Sequence, residues 1–143
     1  MSRASSKASG DRRAEVFSHQ FTVPSSTIDT QGHVNNLAFL EWCLEAAEAH
    51  WKQNATPTMQ ANYIWYVLRH SIDYKASAFE GEELEINTWV TYAEGVKSER
   101  HYKIFRIKDN KTLVEAKSIW CLLNANTQRP AKITEEIRTL FMC

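Results

Sequence analysis

The run 29–36 reads Asp-Thr-Gln-Gly-His-Val-Asn-Asn and brings several chemically capable side chains together in a short stretch. One carboxylate, Asp29, and one imidazole, His33, stand just before a segment with helical periodicity. The first N–H groups of a helix are unpaired, and the helix dipole favours negative charge at that end. A carboxylate beside such a helix start could attack a polarised carbonyl directly or act as a base toward water.

The same residues also have plain structural roles. Asp29 could organise an Asx-turn, and Asn35 and Asn36 are common helix-capping residues. For His33, the sequence leaves both a structural role and an acid–base role open. The acid–base role is considered because histidine side chains as a class change charge near neutral pH. Gly32 is expected to adopt a positive φ or to allow close approach of a substrate.

The elements around this run follow from apolar periodicity. Alternation over 15–24 predicts a first strand. A helix of about four or five turns should follow, ending near Asn54, because one apolar stripe recurs at steps of three and four: Leu37, Leu40, Leu44, Ala47 and Trp51. Four long strands are then predicted over 63–75, 84–92, 97–108 and 113–124, with a short helix capped by Thr134.

This order predicts an α+β fold in which a five-stranded antiparallel sheet wraps around a long central helix. The 143 residues suffice for one well-packed domain. We expect that domain to occupy residues 15–143. Residues 1–14 are expected to form a disordered tail, because residues 1–13 contain no large hydrophobic side chain apart from Met1.

Composition argues against several classes of partner. The 17 basic and 17 acidic residues cancel, whereas a general nucleic-acid binder carries a basic excess. No apolar run approaches the roughly 18 residues that span a bilayer, and the start lacks a secretory signal.

The three cysteines form no CxxC pair, which disfavours disulfides and zinc and indicates a reducing, cytoplasmic location. Cys43 and Cys121 should be buried thiols, and Cys143 an exposed, oxidisable one.

The element order together with the motif resembles the hotdog-fold thioesterases, in particular acyl-CoA and acyl-ACP thioesterases, including the hydroxybenzoyl-CoA type. The resemblance covers roughly residues 16–140. Its specific core is Asp29-xx-Gly32-His33-Val34-Asn35-Asn36, followed by Phe39, Trp42 and Ala46 or Ala47.

The resemblance implies a hotdog fold and hydrolysis of an acyl-CoA or acyl-ACP thioester in fatty acid metabolism, without a bound cofactor. A metal is not expected, because His19, His50, His70 and His101 lie in different elements without ligand spacing. By position, Asp29 matches the catalytic carboxylate, and the backbone N–H of Asn36 matches the donor that polarises the carbonyl. His33 matches a histidine of plant acyl-ACP enzymes. Those enzymes also carry an acid and a cysteine on a later strand, and neither is evident in 74–78, which favours a single-carboxylate mechanism. A homodimer with sheets joined edge to edge, or a homotetramer, is also implied.

Five residues are candidates for substrate binding: Gly32, Asn35, Trp65, Lys97 and Arg100. Trp65 could line an acyl or aryl pocket, or simply pack in the core. Lys97 and Arg100 lie on a strand rich in basic residues, which could hold coenzyme A phosphates or an acidic carrier protein, or form a solvated face.

The same residues are consistent with two other functions. A hotdog hydratase or dehydratase could use Asp29 and His33 to exchange a proton next to a thioester carbonyl. A non-catalytic acyl-thioester-binding module is the second alternative.

Overall fold

The structure is a computed structural model that describes residues 14–142. The expected tail residues 1–13 and the Cys143 thiol lie outside that range. Ala14, assigned to the tail from the sequence, forms an isolated bridge with Met142. The elements are β1 (Phe17–Thr22), α1 (Asn36–Asn54), α2 (Pro57–Asn62), β2 (Tyr63–Tyr74), β3 (Glu83–Glu94), β4 (Lys97–Arg106), β5 (Lys111–Asn124) and α3 (Glu135–Arg138).

The strands form one antiparallel sheet in the order β1-β3-β4-β5-β2, packed against α1. Short turns make β3-β4-β5 a meander, and α1 with α2 separates β1 from β2. The predicted α+β hotdog architecture is confirmed. Within residues 14–142, no helix is long and apolar enough to cross a membrane.

Helix α1 buries a different stripe from the predicted one. Its buried residues are Ala38, Phe39, Cys43, Ala46, Ala47 and His50. Leu37 is 62% exposed, and Leu44 is half-buried. The helix therefore carries two apolar stripes, and periodicity alone could not say which one faces the sheet. Burial raises the pKa of Cys43 to about 12, so this thiol is unreactive, in agreement with the sequence prediction.

Helix α2 was not predicted. Thr56 caps it by accepting a hydrogen bond from the Met59 N–H at 3.1 Å, and Pro57 occupies its first turn. With 6 residues it is too short to produce a periodic signal. It makes the connection between the end of α1 and the start of β2.

Strand β2 contains a β-bulge between Val67 and Arg69. Before the bulge, Trp65 packs on the core while Ile64, Tyr66 and Leu68 are exposed. After it, Ile72 packs on the main core cluster. A bulge shifts the side-chain phase by one residue. Positions 64 and 66, before the bulge, and position 72, after it, therefore lie on opposite faces of the sheet.

A buried polar network ties the C-terminal half of α1 to the sheet. His50 is fully buried, with its Nε2 2.7 Å from Glu15 Oε1 and its Nδ1 3.0 Å from Arg100 Nη1. Arg100 Nη1 also donates to Thr88 Oγ1 at 3.1 Å. Because arginine only donates, His50 Nδ1 must accept, and His50 Nε2–H donates to Glu15.

This tautomer agrees with the electrostatics of the network. Burial and the charge of Arg100 lower the pKa of His50 to about 4, against the opposing effect of Glu15. Burial disfavours ionisation of Glu15, but hydrogen bonds from His50 and Asn54 outweigh that effect and lower the pKa of Glu15. His50 is therefore neutral near pH 7, and its contact with Glu15 is a hydrogen bond to an ionised acceptor.

The network predicts a pH-dependent stability. An unfolded chain protonates His50 near pH 6.5, and the folded chain only near pH 4. The unfolded state therefore binds more protons between these values, and the free energy of unfolding rises with pH by up to roughly 3 kcal/mol across this window. Urea unfolding at a series of pH values measures this rise. His50→Gln retains a donor and an acceptor without titrating, so it should flatten the slope; an unchanged slope in His50→Gln would contradict the assignment.

Candidate active site

The run 29–36 folds into a loop that closes on the start of α1. Ile28 and Val34 form an isolated bridge, and the Asp29 N–H donates to the His33 carbonyl at 2.8 Å. The Asn35 N–H donates to the Thr27 carbonyl at 2.9 Å. These bonds hold the residues before the motif against those that begin the helix.

Asp29 uses one carboxylate oxygen for this turn. Its Oδ1 accepts hydrogen bonds from the Gln31 N–H at 2.9 Å and the His33 N–H at 3.2 Å. The expected Asx-turn is therefore present. Its Oδ2 has no hydrogen-bond partner among residues 14–142, and the residue is exposed. The turn orients the carboxylate and leaves one oxygen available for chemistry.

Gly32 supplies the backbone geometry of the turn. Its φ is 84°, a region that disfavours other residues, which agrees with the positive φ expected from the sequence. A Cβ at this position would meet no atom within 4 Å. In this chain the glycine is therefore required by backbone conformation, with open space beside it.

The start of α1 offers two unpaired donors. Asn35 is the N-cap: its Oδ1 accepts from the Ala38 N–H at 2.8 Å, and its Nδ2 donates to the Thr27 carbonyl at 2.9 Å. The N–H groups of Asn36 and Leu37 have no acceptor among the described residues. Such free donors at a helix N-terminus are suited to binding an oxygen that carries negative charge.

Apolar side chains surround this loop. The His33 ring meets the Phe79 ring edge-on at 5.1 Å between centroids. The Tyr74 hydroxyl donates to the Asn36 carbonyl at 3.3 Å. Leu37, Tyr74 and Phe79 are all exposed in the single chain. The motif therefore lies on an open surface with a partly apolar border.

A large cavity lies elsewhere in the chain. It has a volume of about 590 Å³, within the usual range for a ligand pocket. The C-terminal half of α1, strand β2, parts of β3 to β5 and residues 133–141 line it, and Trp51, Trp65 and Phe141 contribute aromatic walls. Its lining is mainly apolar, with Arg100 as a buried charged member.

The motif and the cavity occupy different ends of α1. The first cavity-lining residue of the helix is Leu44, and Trp51 lies two turns further along. At about 1.5 Å per residue, Leu44 is roughly 12 Å and Trp51 roughly 22 Å along the helix from Asn36. None of Asp29, His33 and Asn36 lines the cavity. A single chain therefore does not place the motif in the cavity wall.

The predicted substrate-binding residues separate in the same way. Gly32 and Asn35 belong to the motif loop, and Trp65 lines the cavity. Lys97 is exposed, but Arg100 is only 6% exposed. The idea of one basic surface that includes both is wrong, because residues three apart on a strand point to opposite faces.

Sequence reasoning missed the buried network of Glu15, His50, Thr88 and Arg100. The available signal was a histidine spaced three and four residues from Ala47 and Ala46, on a stripe of small apolar residues. Its partners lie 35 to 50 residues away in sequence, and no local pattern connects them. Among residues 14–142, no group of three or more His, Cys, Asp or Glu could hold a metal ion.

The chain is similar in sequence to proteins of known families. Residues 14–141 match the family model described as the acyl-ACP thioesterase N-terminal domain. Chloroplastic palmitoyl-acyl carrier protein thioesterases from Arabidopsis thaliana and Gossypium hirsutum are 27% and 26% identical over 132 residues, which is 86% of this chain. The match spans only 32% of the length of each of these relatives.

Solved structures share the fold. An acyl-ACP thioesterase from Bacteroides thetaiotaomicron is 25% identical, with a TM-score of 0.73 over 81% of this chain and 49% of that one. A 1,4-dihydroxy-2-naphthoyl-CoA thioesterase from Synechocystis is 21% identical, with a TM-score of 0.77 over 88% of this chain and 95% of that one. At that identity, the second similarity establishes the fold alone.

The capping role of Asn35 can be tested by substitution. Asn35→Ala removes the acceptor for the Ala38 N–H and should lower the free energy of unfolding by about 1 kcal/mol. Asn35→Asp keeps a capping oxygen and loses only the donor to Thr27, so it should cost less. Urea unfolding of both variants measures the difference; equal losses would show that the cap contributes little.

Proposed function

Because the chain belongs to the acyl-ACP thioesterase family through its match to the N-terminal domain, we propose that it hydrolyses an acyl thioester to a carboxylic acid and a free thiol. One observation carries the proposal: a carboxylate with a free oxygen lies in a hydrogen-bonded loop that leads directly into a helix start with two unpaired N–H groups. The thiol carrier is coenzyme A or acyl carrier protein, the two carriers named for the similar proteins above.

In this mechanism the thioester oxygen accepts a hydrogen bond from the backbone N–H of Asn36. Charge that develops on this oxygen is stabilised by the donor and by the helix dipole; loss of one such donor costs about 3 kcal/mol in barrier in other enzymes. The Asp29 carboxylate then follows one of two routes. It attacks the carbonyl carbon, expelling the thiolate and forming an anhydride that water cleaves, or it takes a proton from water that attacks the same carbon, after which the C–S bond breaks and the thiolate leaves.

The proposal includes His33 as a supporting residue in either route. It lies in the same loop, and its own N–H holds Asp29 Oδ1. Its ring packs edge-on against Phe79, which fixes its direction. We assign it a role in orienting water or protonating the leaving thiolate.

The proposal includes a homodimer that brings the motif to the cavity. Strand β2 lies at one edge of the sheet, and its 12 residues expose Ile64, Tyr66 and Leu68. A long apolar edge of this kind favours pairing with another strand. Antiparallel pairing of two β2 strands about a twofold axis would set the Tyr74 end of one copy beside the Tyr63 end of the other.

That arrangement would bring the motif of one copy next to the cavity of its partner. Tyr74 contacts Asn36 at the motif end, whereas Tyr63 and Trp65 line the cavity at the other end. In the proposed dimer, Asp29 and Asn36 of one copy therefore face the cavity of its partner, and the acyl group enters that cavity. Two such sites form per dimer.

Asp29→Asn tests the catalytic carboxylate. The amide oxygen can still accept the turn hydrogen bonds, so the loop should persist, but the side chain cannot act as nucleophile or base. We expect thiol release from acyl-CoA or acyl-ACP to fall by at least about 100-fold. Glu136→Gln, an equal charge change at an exposed position of α3, should leave the rate unchanged. Normal turnover by Asp29→Asn would rule the proposal out.

Labelled water distinguishes the two routes open to Asp29. A single turnover in ¹⁸O-water should place the label in the Asp29 carboxylate if an anhydride forms and water cleaves it on the Asp29 side. Under general-base catalysis, all label should go to the product acid. Mass spectrometry of the peptide that contains Asp29 measures this.

Mixed dimers test whether sites are shared between copies. Ala47→Phe should fill the cavity, and Asp29→Asn should inactivate the motif. In a shared site, a mixed dimer keeps one intact site, built from the normal motif of the Ala47→Phe copy and the open cavity of the Asp29→Asn copy. Equal mixing and refolding of two inactive variants should restore about a quarter of wild-type activity. Absence of any restoration, with dimers verified by size, would show that each site belongs to one chain.

A further inference from the structure

Arg100 is a buried cation in the wall of the cavity without a carboxylate partner of its own. It is 6% exposed, and among residues 14–142 it forms no ion pair. Its Nη1 donates to His50 Nδ1 and Thr88 Oγ1, and its guanidinium carbon lies 5.4 Å from the centre of the Phe141 ring. The nearest acid in the network, Glu15, is reached only through His50.

Part of the guanidinium has no hydrogen-bond acceptor. Arginine has five N–H donors, and only those on Nη1 have partners in the described residues. The N–H groups on Nε and Nη2 have none. Buried donors without acceptors are costly, and the cost is larger for a charged group. The adjacent space is the cavity, so an acceptor that satisfies these donors can come from a ligand.

The surrounding network holds the cation in position. Thr88 Oγ1 donates to the His101 carbonyl at 2.8 Å, which directs its lone pairs elsewhere, including toward Arg100. His50 presents its Nδ1 lone pair because its Nε2 proton is committed to Glu15. Burial lowers the pKa of Arg100 to about 10, so the charge persists at neutral pH. The side chain is thus a fixed, charged donor group beside an otherwise mainly apolar space.

We propose that Arg100 binds an oxygen atom carried by the acyl group, so that the protein prefers thioesters of oxygen-bearing acyl chains over those of plain hydrocarbon chains. A keto or carboxylate oxygen is the chemistry that fits the free N–H groups. The apolar wall, which includes Ala47, Trp65 and Val90, would hold the carbon chain. The inference rests on the proposed thioester hydrolysis for its reaction, but the binding preference can be measured without turnover.

A matched substrate series tests the preference directly. Plain octanoyl-CoA is the reference, and the series moves a keto oxygen along the same chain or places a carboxylate at its end. Wild-type kcat/KM should be at least about tenfold higher for the best oxygen-bearing member than for octanoyl-CoA, as expected for a charge-assisted hydrogen bond. Equal values throughout the series, or a preference for octanoyl-CoA, would overturn the inference.

Substitution at Arg100 assigns the preference to this residue. Arg100→Met should remove most of it, lowering the ratio of kcat/KM for the oxygen-bearing member to kcat/KM for octanoyl-CoA about tenfold. Lys117→Met removes a cation from an exposed position of β5 and should leave the ratio unchanged. A ratio that survives in Arg100→Met would overturn the assignment. If Arg100→Met does not fold, Arg100→Lys keeps the charge without the planar donors and should reduce the ratio partially.

The same probes separate failure of this inference from failure of the proposed function. Hydrolysis of octanoyl-CoA without any oxygen preference would leave thioesterase function standing and overturn the role of Arg100. If no thioester is hydrolysed, the proposed function fails, and calorimetric titration with the intact thioesters still measures the ratio of affinities. Tighter binding of the oxygen-bearing member, lost in Arg100→Met, would then support the Arg100 site by itself.

Discussion

The antiparallel orientation of α1 relative to β2 is the constraint on which the proposed site depends. It sets the start of the helix beside the end of β2, where the Tyr74 hydroxyl reaches the Asn36 carbonyl. It also sets the end of the helix beside the start of β2, where Trp51 and Trp65 meet at 5.8 Å between ring centroids. The motif that contains Asp29 and the cavity are therefore separated within one chain. The exposed edge of β2 offers a simple way to join them, because twofold pairing inverts one copy relative to the other.

Each end of α1 is associated with a different source of positive potential. At the N-terminus, unpaired N–H groups and the helix dipole produce a positive potential, and the loop that leads into this end carries the exposed Asp29 carboxylate. At the C-terminal half, a full positive charge on Arg100 is fixed by His50 and Thr88 at the cavity wall. The N–H groups suit an oxygen that gains charge during the reaction, and Arg100 suits an oxygen that is already polar in the bound ligand. In the proposed enzyme, these two groups bind different parts of the same substrate.

Local patterns predicted much of the fold and the motif, and non-local contacts account for what they missed. Alternation placed the strands to within a few residues, and the Asp29–Asn36 run predicted both the turn and the helix start. Periodicity could not choose between two apolar stripes of α1, because Leu44 and Cys43 are both apolar and only packing against the sheet decides which is buried. It also could not anticipate the bulge after Val67, which moves the later β2 side chains to the opposite face. The position of Arg100 depends on partners from α1 and β3, so a strand pattern rich in basic residues suggested a solvated face instead.

The most direct test of this account is a crystal structure of the protein with a non-hydrolysable acyl-CoA analogue in which a methylene group replaces the thioester sulfur. We expect a dimer paired through β2, with the ketone oxygen within hydrogen-bond distance of the Asn36 N–H and near Asp29 of one copy, and the acyl chain in the cavity of the other. A carbonyl bound away from Asp29 and the start of α1, in whatever oligomer forms, would contradict it.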